Sequence, residues 1–209
     1  MNVVLYGATG MIGTRTLKEL VSRGHNVTAI VRDPSKVPPQ PSVKVVQGDI
    51  FDSKQVATQV KGADAVISAY GPGQGAVGDL LKATRSLIAG LKEAGVKRLI
   101  FVGGAGSLYV APGVDVIDSG NLPEVYKEIA IAHREAWKLL RETDLDWTYF
   151  SPAAFIEPGE RTGKFRVGAD WLLMDEKGNS RISAEDYSIA LVDELENPKH
   201  IKQKFTVAY

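Results

Sequence analysis

Short apolar runs alternate with longer amphipathic segments along most of the chain. Residues 3–6 and 27–31 are almost continuously apolar, whereas the apolar residues between positions 80 and 91 recur at helical spacing up to Gly95. Strands that are buried on both faces are apolar throughout, and helices of this length are the usual connections between parallel strands. The alternation therefore predicts an α/β protein whose mostly parallel sheet is covered by helices on both faces.

The number and spacing of the apolar runs define the expected topology. The strands are predicted at residues 3–6, 27–31, 43–46, 63–67, 99–102 and 147–150. Since crossovers between parallel strands are right-handed, few arrangements of such a series are available. We expect a Rossmann-type doubly wound parallel sheet over residues 1–152, with strand order 3-2-1-4-5-6.

Residues 153–209 follow a different pattern, with glycine-rich turns and shorter elements. The sequence predicts a short strand at 164–167, a helix over about 184–195 and a closing strand at 203–207. Ser183 followed by Asp186 resembles a capping box at the start of that helix. A segment of this size is too small to form a core of its own. We therefore expect a small C-terminal lobe on the substrate side of the sheet, within a single structural domain.

Composition excludes several classes of function. Lys and Arg total 25, as do Asp and Glu, so the formal net charge is zero, and no long-range attraction to nucleic acid or to an anionic membrane is expected. The absence of cysteine excludes disulfides, thiol nucleophiles and Cys-ligated metals, and three widely spaced histidines argue against any metal site. Neither a membrane-spanning stretch nor a signal peptide is predicted, so a cytoplasmic location is expected.

A glycine motif lies between the first predicted strand and the first predicted helix. Gly7, Gly10 and Gly13 have the spacing G-x-x-G-x-x-G. A diphosphate must approach backbone N–H groups closely at the start of such a helix, where the helix dipole also favours negative charge. The alternative is a plain glycine-rich turn. The motif predicts a dinucleotide site whose candidate residues are Gly7, Thr9, Gly10, Met11, Ile12 and Gly13.

The end of the second strand indicates which dinucleotide is preferred. Arg32 follows Gly10 by 22 residues (32 − 10), in the range where this fold recognises the adenosine ribose. A guanidinium accommodates the 2′-phosphate of NADP(H), whereas an acidic residue holds the 2′-hydroxyl of NAD(H). We expect NADP(H) to be preferred over NAD(H). In the alternative, Arg32 is a solvated surface residue and Asp33 binds NAD.

The ends of the third and fourth strands supply further candidates for cofactor binding. Asp49 is expected to accept a hydrogen bond from the adenine amino group while Ile50 packs on the ring, although Asp49 is equally suited to cap the following helix. Ala69, Tyr70 and Gly71 follow the fourth strand, where small residues permit close approach of the nicotinamide ribose. Tyr70 either lines the pocket or anchors the loop.

The catalytic pair of the common short-chain dehydrogenases is absent. Those enzymes protonate an alkoxide with an activated tyrosine, which is placed four residues before a lysine. None of the seven tyrosines has Lys at that spacing, and Tyr126 and Lys127 are adjacent, so they diverge on a helix by about 100°. Flavins and quinones accept a hydride without a strong acid beside them, so proximity and orientation can suffice.

Several segments together resemble one known family. They are residues 7–10 (GATG), 31–34 (VRDP), 103–108 (GGAGSL), 146–148 (DWT), 151–154 (SPAA), 157–163 (EPGERTG) and 181–187 (RISAEDY). They resemble the atypical short-chain dehydrogenases provisionally described as NADH-flavin reductases. More distantly, the chain is similar to the mammalian flavin reductase also called biliverdin reductase B, and to nitrogen-metabolite repression regulators that bind a dinucleotide without turnover.

The resemblance implies NAD(P)H binding, flavin reduction and a set of candidate residues. Gly103 and Gly104 are expected to let the nicotinamide lie against the end of the fifth strand. In the flavin reductase a serine follows that strand; Gly104 takes its place here, and Ser107 comes three residues later. His133 aligns with a histidine of the next helix, although it also lies on an apolar helix face where packing is the alternative. Ser107, His133 and Tyr126 are the candidate catalytic residues, and none of them is assigned.

Two functions of different classes follow. The first is hydride transfer from NADPH to a small-molecule acceptor of the flavin or quinone type, with Tyr109, Phe155 and Trp171 as candidate aromatic walls. The second is a redox sensor that binds NADP(H) without catalysis and acts through a protein partner. A sugar-nucleotide epimerase is disfavoured, because it would need the Tyr/Lys pair and a larger substrate domain. Self-association is compatible with either function.

Overall fold

The computed structural model describes residues 1–73 and 76–209. Its strands are β1 (Asn2–Tyr6), β2 (Asn26–Val31), β3 (Val43–Gln47), β4 (Ala65–Ser68), β5 (Arg98–Val102), β6 (Tyr109–Ala111), β7 (Val114–Asp115), β8 (Asp146–Ser151), β9 (Phe155–Glu157), β10 (Arg166–Gly168), β11 (Arg181–Ser183) and β12 (Gln203–Ala208). Its helices are α1 (Met11–Ser22), α2 (Ser53–Val60), α3 (Gly78–Ala94), α4 (Glu124–Arg141) and α5 (Ala184–Glu196).

The described residues form a central sheet of eight strands in the order β3-β2-β1-β4-β5-β8-β12-β10. Its neighbouring strands are parallel except for β10, which pairs with β12 in the antiparallel sense at one edge. The first six strands have the predicted order 3-2-1-4-5-6, so the Rossmann-type sheet is confirmed. The chain leaves β1 towards β2 on one side and later returns to β4 on the other, which creates the crevice where this fold binds ligands.

Helices cover both faces of the sheet because its strands are apolar on both sides. In β1, Val3 and Leu5 face the core beneath α1 and α5, whereas Val4 and Tyr6 face the core beneath α2, α3 and α4. This alternation follows from the two-residue period of a strand. Each face therefore buries an independent apolar layer, and the two layers together hold the strand ends in place.

Residues 153–209 contribute directly to the central sheet. The predicted closing strand is present as β12, which pairs with β8, and the predicted helix is present as α5, which packs against α1. The predicted short strand at 164–167 is present as β10, shifted to Arg166–Gly168. The C-terminal residues thus extend the sheet by two strands and cover one of its faces.

The predicted capping box at the start of α5 is only half formed. Ser183 Oγ accepts a hydrogen bond from Asp186 N at 3.0 Å, as expected for a helix cap. The carboxylate of Asp186 does not return the bond to Ser183. It accepts instead from Thr162 N at 2.8 Å and from Tyr209 Oη at 3.0 Å, so it connects α5 to two distant segments.

Within the described residues, no helix is long and apolar enough to cross a membrane.

Candidate functional site

The turn between β1 and α1 has no room for a side chain at two of its glycines. Gly7 has a φ of +80°, and a Cβ there would lie 2.3 Å from the carbonyl oxygen of Ala69. A Cβ on Gly13 would lie 1.9 Å from the carbonyl oxygen of Gly7. Glycine is therefore required at both positions by the protein itself, because β4 and α1 approach the turn too closely for any side chain.

Gly10 differs from the other two glycines of the motif. A Cβ at this position would meet only Gly7 O, at 3.4 Å, which is within an ordinary contact distance. Gly10 is the N-cap of α1, and no side chain caps the helix there. Packing does not explain this glycine, whereas an anion placed on the uncapped amide groups of the first turn does. The turn fits the diphosphate of a dinucleotide.

A cleft of about 150 Å³ continues from this turn across the carboxyl ends of β1 to β4. Nine predicted cofactor residues line it: Gly7, Thr9, Gly10, Arg32, Asp49, Ile50, Ala69, Tyr70 and Gly71. Met11, Ile12 and Gly13 continue the turn into α1 and lie outside the cleft lining. The lining residues that the sequence analysis missed are Tyr6, Ile30, Val31, Gly48 and Phe51. Their position at or just beyond predicted strand ends is the signal that could have found them.

Arg32 and Asp33 have different environments at the end of β2. Asp33 Oδ1 accepts from Ser35 N at 3.1 Å and from Ser35 Oγ at 2.6 Å, and these bonds lower the pKa of its carboxyl group. Asp33 thereby caps the short 3₁₀ helix Pro34–Lys36. The guanidinium of Arg32 forms no ion pair or hydrogen bond with the described residues, and Arg32 lines the cleft.

Asp49 does not cap α2, so that alternative is wrong. The N-cap of α2 is Asp52, whose Oδ1 accepts from Lys54 N at 3.0 Å and from Gln55 N at 3.2 Å. Asp49 Oδ1 accepts from Phe51 N at 2.9 Å, which leaves Asp49 in the cleft lining. Asp49 therefore lines the cleft, and its role beside the adenine stays a prediction.

Tyr70 lines the cleft and faces Phe51. Their ring centroids are 5.8 Å apart with an interplanar angle of 84°, an edge-to-face contact. Burial and the charge of Asp79 raise the pKa of the Tyr70 phenol, so this side chain stays neutral at physiological pH. The pair forms an aromatic wall next to Asp49 and Ile50.

Gly103 and Gly104 follow β5. The sequence suggested that they leave room for the nicotinamide, whereas the structure explains them by contacts within the protein. A Cβ on Gly103 would lie 2.3 Å from the ring of Tyr149, and a Cβ on Gly104 would lie 3.2 Å from the Cβ of His133. Gly104 N donates to Tyr149 Oη at 3.1 Å, and Tyr149 Oη donates to His133 O at 3.0 Å. Packing between β5, β8 and α4 therefore accounts for both glycines, and neither lines the cleft described above.

The three candidate catalytic residues occupy different environments. Ser107 is buried in the 3₁₀ helix Ala105–Ser107, and its Oγ is shielded from solvent beside the hydroxyl of Tyr149. His133 Nδ1 is buried and has no hydrogen-bond partner among the described residues, and desolvation lowers the pKa of this imidazole to about 4. His133 is therefore neutral at physiological pH and packs against the loop after β5. Tyr126 is exposed in the first turn of α4.

The structure brings no tyrosine and lysine together as a proton-donating pair in the described residues. The hydroxyl of Tyr149 bonds to backbone groups on both sides, and the hydroxyl of Tyr187 donates to Phe150 O at 2.6 Å. Lys127, beside Tyr126, forms an ion pair with Glu124 at 3.5 Å. The cleft can bind a dinucleotide, but it offers no activated phenol for carbonyl reduction.

Residues 7–198 match the sequence signature of a family described as NAD(P)H-binding. The matched region begins at the first glycine of the turn and extends past α5, so it includes every residue that lines the cleft except Tyr6. The chain belongs to this family of NAD(P)H-binding oxidoreductases. The family assignment confirms the resemblance to atypical short-chain dehydrogenases found in the sequence.

Solved structures of similar proteins carry different descriptions. A Burkholderia pseudomallei protein provisionally described as exported is 49% identical with a TM-score of 0.92, over 100% of both chains. A Bacteroides thetaiotaomicron protein provisionally described as an epimerase is 44% identical with a TM-score of 0.92, over 100% of this chain and 96% of that one. A Streptococcus pneumoniae protein provisionally described as an NADH-flavin reductase is 34% identical with a TM-score of 0.87, over 100% and 99%.

Proposed function

We propose that the protein transfers a hydride from NADPH to a planar acceptor of the flavin or quinone type. One combination of features carries the proposal: a dinucleotide cleft at the strand-order switch, in a chain that has no Tyr-x-x-x-Lys pair. The description of the Streptococcus pneumoniae relative as an NADH-flavin reductase supports the same acceptor class. The missing pair argues against epimerase activity in this chain.

Different residues of the cleft would bind different parts of the cofactor. The amide groups around Gly7 and Gly10 would bind the diphosphate, because the start of α1 is uncapped and free of side chains. Asp49 would accept from the adenine amino group while Ile50 packs against the ring. Bound NADPH supplies the hydride. The protein contributes orientation and exclusion of water, which are the contributions expected of it in cofactor chemistry.

The preference for NADPH follows from the two residues at the end of β2. Asp33 caps the 3₁₀ helix through Oδ1 and does not line the cleft, whereas Arg32 does. The guanidinium of Arg32 has no partner in the part of the chain that the structure describes, and Lys36 adds a second positive charge three residues from Asp33. A guanidinium pairs with a phosphate through two parallel hydrogen bonds, which makes Arg32 the residue expected to recognise the 2′-phosphate.

The carboxyl edge of the sheet also presents exposed apolar groups to an acceptor. Phe155, at the start of β9 just beyond β8, is 63% exposed. Val125 and Tyr126 in the first turn of α4 are 79% and 53% exposed. Because α4 runs antiparallel to β5 and β8, its first turn lies at the same edge as β9. Such side chains suit a flat, largely apolar ring, and water would supply the proton, because none of the described residues is placed to give it.

Steady-state oxidation of NADPH tests the proposal directly. The purified protein is mixed with NADPH and, in turn, with FMN, riboflavin and menadione, while absorbance at the nicotinamide band is followed under anaerobic conditions. We expect turnover with at least one of the three. Tight NADPH binding without turnover of any acceptor would contradict the enzyme and favour the redox sensor, which predicts unequal affinities for NADP⁺ and NADPH.

A further inference from the structure

Gly48, which lines the cleft just after β3, is required to be glycine by a side chain of α2. A Cβ on Gly48 would lie 2.1 Å from Nε2 of Gln59 and 2.7 Å from a methyl carbon of Ile30. The amide group of Gln59 therefore occupies the space that a side chain at position 48 would need. Gly48 N also donates to Val31 O at 3.0 Å, so the backbone at this point is held from two sides.

The amide group of Gln59 is hydrogen-bonded at both of its ends. Its Oε1 accepts from Tyr6 Oη at 3.1 Å, and its Nε2 donates to Gln47 O at 3.3 Å. A carbonyl oxygen can only accept, so one orientation of the amide satisfies both partners. Burial raises the pKa of the Tyr6 phenol, so its hydroxyl remains a donor at physiological pH. Gln59 thus connects the end of β1 to the end of β3, with β2 between them in the sheet.

The side chain of Gln47 extends this connection to the end of β2. Gln47 Nε2 donates to Arg32 O at 3.2 Å. Gln47 ends β3 and pairs in register with Val31, which ends β2, so Arg32 is the next residue of the neighbouring strand. Asp49 follows Gln47 by two residues (49 − 47) and lines the cleft. Gln47 is therefore linked to the residue proposed for the 2′-phosphate by a hydrogen bond, and to the residue proposed for the adenine along the chain.

We propose that Gln59 is a positioning residue that sets the nucleotide selectivity of the cleft. Its amide group holds the backbone of Gln47 and Gly48, and through that backbone it fixes the positions of Arg32 and Asp49. Gln59 itself is absent from the cleft lining, so it acts through these residues and does not contact the nucleotide. The inference rests on the proposed roles of Arg32 and Asp49, but it concerns binding alone and is independent of hydride transfer.

Three variants separate positioning from general stability. Gln59→Met keeps the length of the side chain but removes both hydrogen bonds. Gln59→Glu keeps an oxygen that can accept from Tyr6, but it places a second acceptor opposite the carbonyl oxygen of Gln47. Gln203→Met is the matched control, because Gln203 is exposed at the start of β12 and lies outside the cleft. Denaturant unfolding gives the stability of each variant.

The readouts are two ratios of dissociation constants, obtained from nicotinamide fluorescence. The ratio for NADH and NADPH reports recognition of the 2′-phosphate. The ratio for NADPH and its analogue with hypoxanthine in place of adenine reports recognition of the adenine amino group, which the analogue lacks. We expect both preferences to fall about twofold to tenfold in Gln59→Met, the range for one hydrogen bond, and at least as far in Gln59→Glu. Gln203→Met should keep both at their wild-type values.

A merely structural role of Gln59 predicts a different result. General loosening of the fold would weaken all three nucleotides in parallel and leave the two ratios unchanged, and that outcome would overturn the proposal. A wild type that shows neither preference would overturn it as well, whereas a wild type that shows one preference leaves that ratio to decide. Failure of the protein to reduce any acceptor would refute the proposed reaction without affecting these ratios.

A measurement without nucleotide tests the positioning itself. Hydrogen–deuterium exchange of the peptide that covers residues 47–51 should be faster in Gln59→Met than in Gln203→Met, with residues 7–13 unchanged. Unaltered exchange at residues 47–51 would show that Gln59 does not hold this backbone and would refute the inference.

Discussion

At the scale of single residues, the three glycines of the turn serve different purposes. Gly7 and Gly13 are required by backbone atoms that lie within 2.3 Å of the added Cβ positions, whereas Gly10 has room for one. Gly7 and Gly13 are thus required by the fold, whereas we propose that Gly10 serves ligand binding. Substitution can separate the two roles, because loss of a folding role lowers the free energy of unfolding, whereas loss of a binding role lowers the affinity for NADPH.

Gly13→Ala and Gly10→Ala form a matched pair. We expect Gly13→Ala to reduce the free energy of unfolding by about 2–3 kcal/mol, because its Cβ overlaps the carbonyl of Gly7. Gly10→Ala should cost about 1 kcal/mol or less, the usual range for an N-cap change, but weaken NADPH binding about tenfold or more. Denaturant unfolding and a binding titration measure the two effects. Equal loss of stability in both variants would contradict this division.

Arg32→Ala tests the recognition of the 2′-phosphate. Removal of a charge-assisted hydrogen bond typically costs about 1.5–3 kcal/mol, so NADPH affinity should fall about tenfold to a hundredfold. NADH affinity should change little, because NADH lacks the 2′-phosphate. Both dissociation constants are obtained from nicotinamide fluorescence, with Lys61→Ala as a surface control at the opposite edge of the sheet. An equal fall for the two nucleotides would show that Arg32 does not discriminate between them.

At the scale of elements, α1 is connected to the C-terminal half by an ion pair between the buried Glu19 and the exposed Arg161. Glu19 is almost fully buried on α1, where it accepts from Arg23 Nε at 2.8 Å and from two Arg161 nitrogens at 2.9 Å. The hydrogen bonds from Arg161, together with those from Arg23, lower the pKa of Glu19 below its ordinary value of 4.5. The segment 157–163, which the sequence analysis noted only as a family motif, is thereby attached to α1.

The lowered pKa gives a definite pH dependence of stability. In the unfolded chain Glu19 binds a proton near pH 4.5, whereas in the folded chain it does so only at lower pH. The contribution of ionised Glu19 to the free energy of unfolding is therefore complete above pH 4.5 and is lost as pH falls through the folded pKa. Glu19→Gln should lower the free energy of unfolding at pH 7 by about 1–2 kcal/mol and flatten the acid-side decline. Glu124→Gln, in an exposed pair, should change neither. A parallel acid profile in Glu19→Gln would contradict the assignment.

Elements defined by local pattern were predictable, and contacts between distant elements were not. The apolar runs and the glycine spacing are local, so they indicated the strand order and the turn at α1 correctly. The explanation for Gly103 depends on Tyr149, which the chain brings close only through β8. The same applies to Gln59 and Tyr6, because periodicity contains no information about a hydrogen bond across 53 positions.

At the scale of the whole molecule, the C-terminal residues complete both the sheet and one apolar layer. Leu191 and Val192 of α5 and Val207 of β12 are fully buried in the core beneath α1. A chain that ends at residue 183 would expose this layer and should show no cooperative thermal unfolding by circular dichroism. The full chain should unfold in a single transition, as expected for one domain. A cooperative transition in the shortened chain would contradict this prediction.

The contact between α1 and α5 has a consequence for biosynthesis. The helix that follows the glycine turn ends at Ser22, so it is synthesised long before the helix that packs against it, which begins at Ala184. A nascent chain that has reached only residue 183 should therefore be unable to retain the nucleotide. Cofactor capture would then wait for the synthesis of α5, and pull-down of stalled chains on immobilised 2′,5′-ADP would show the length at which it begins.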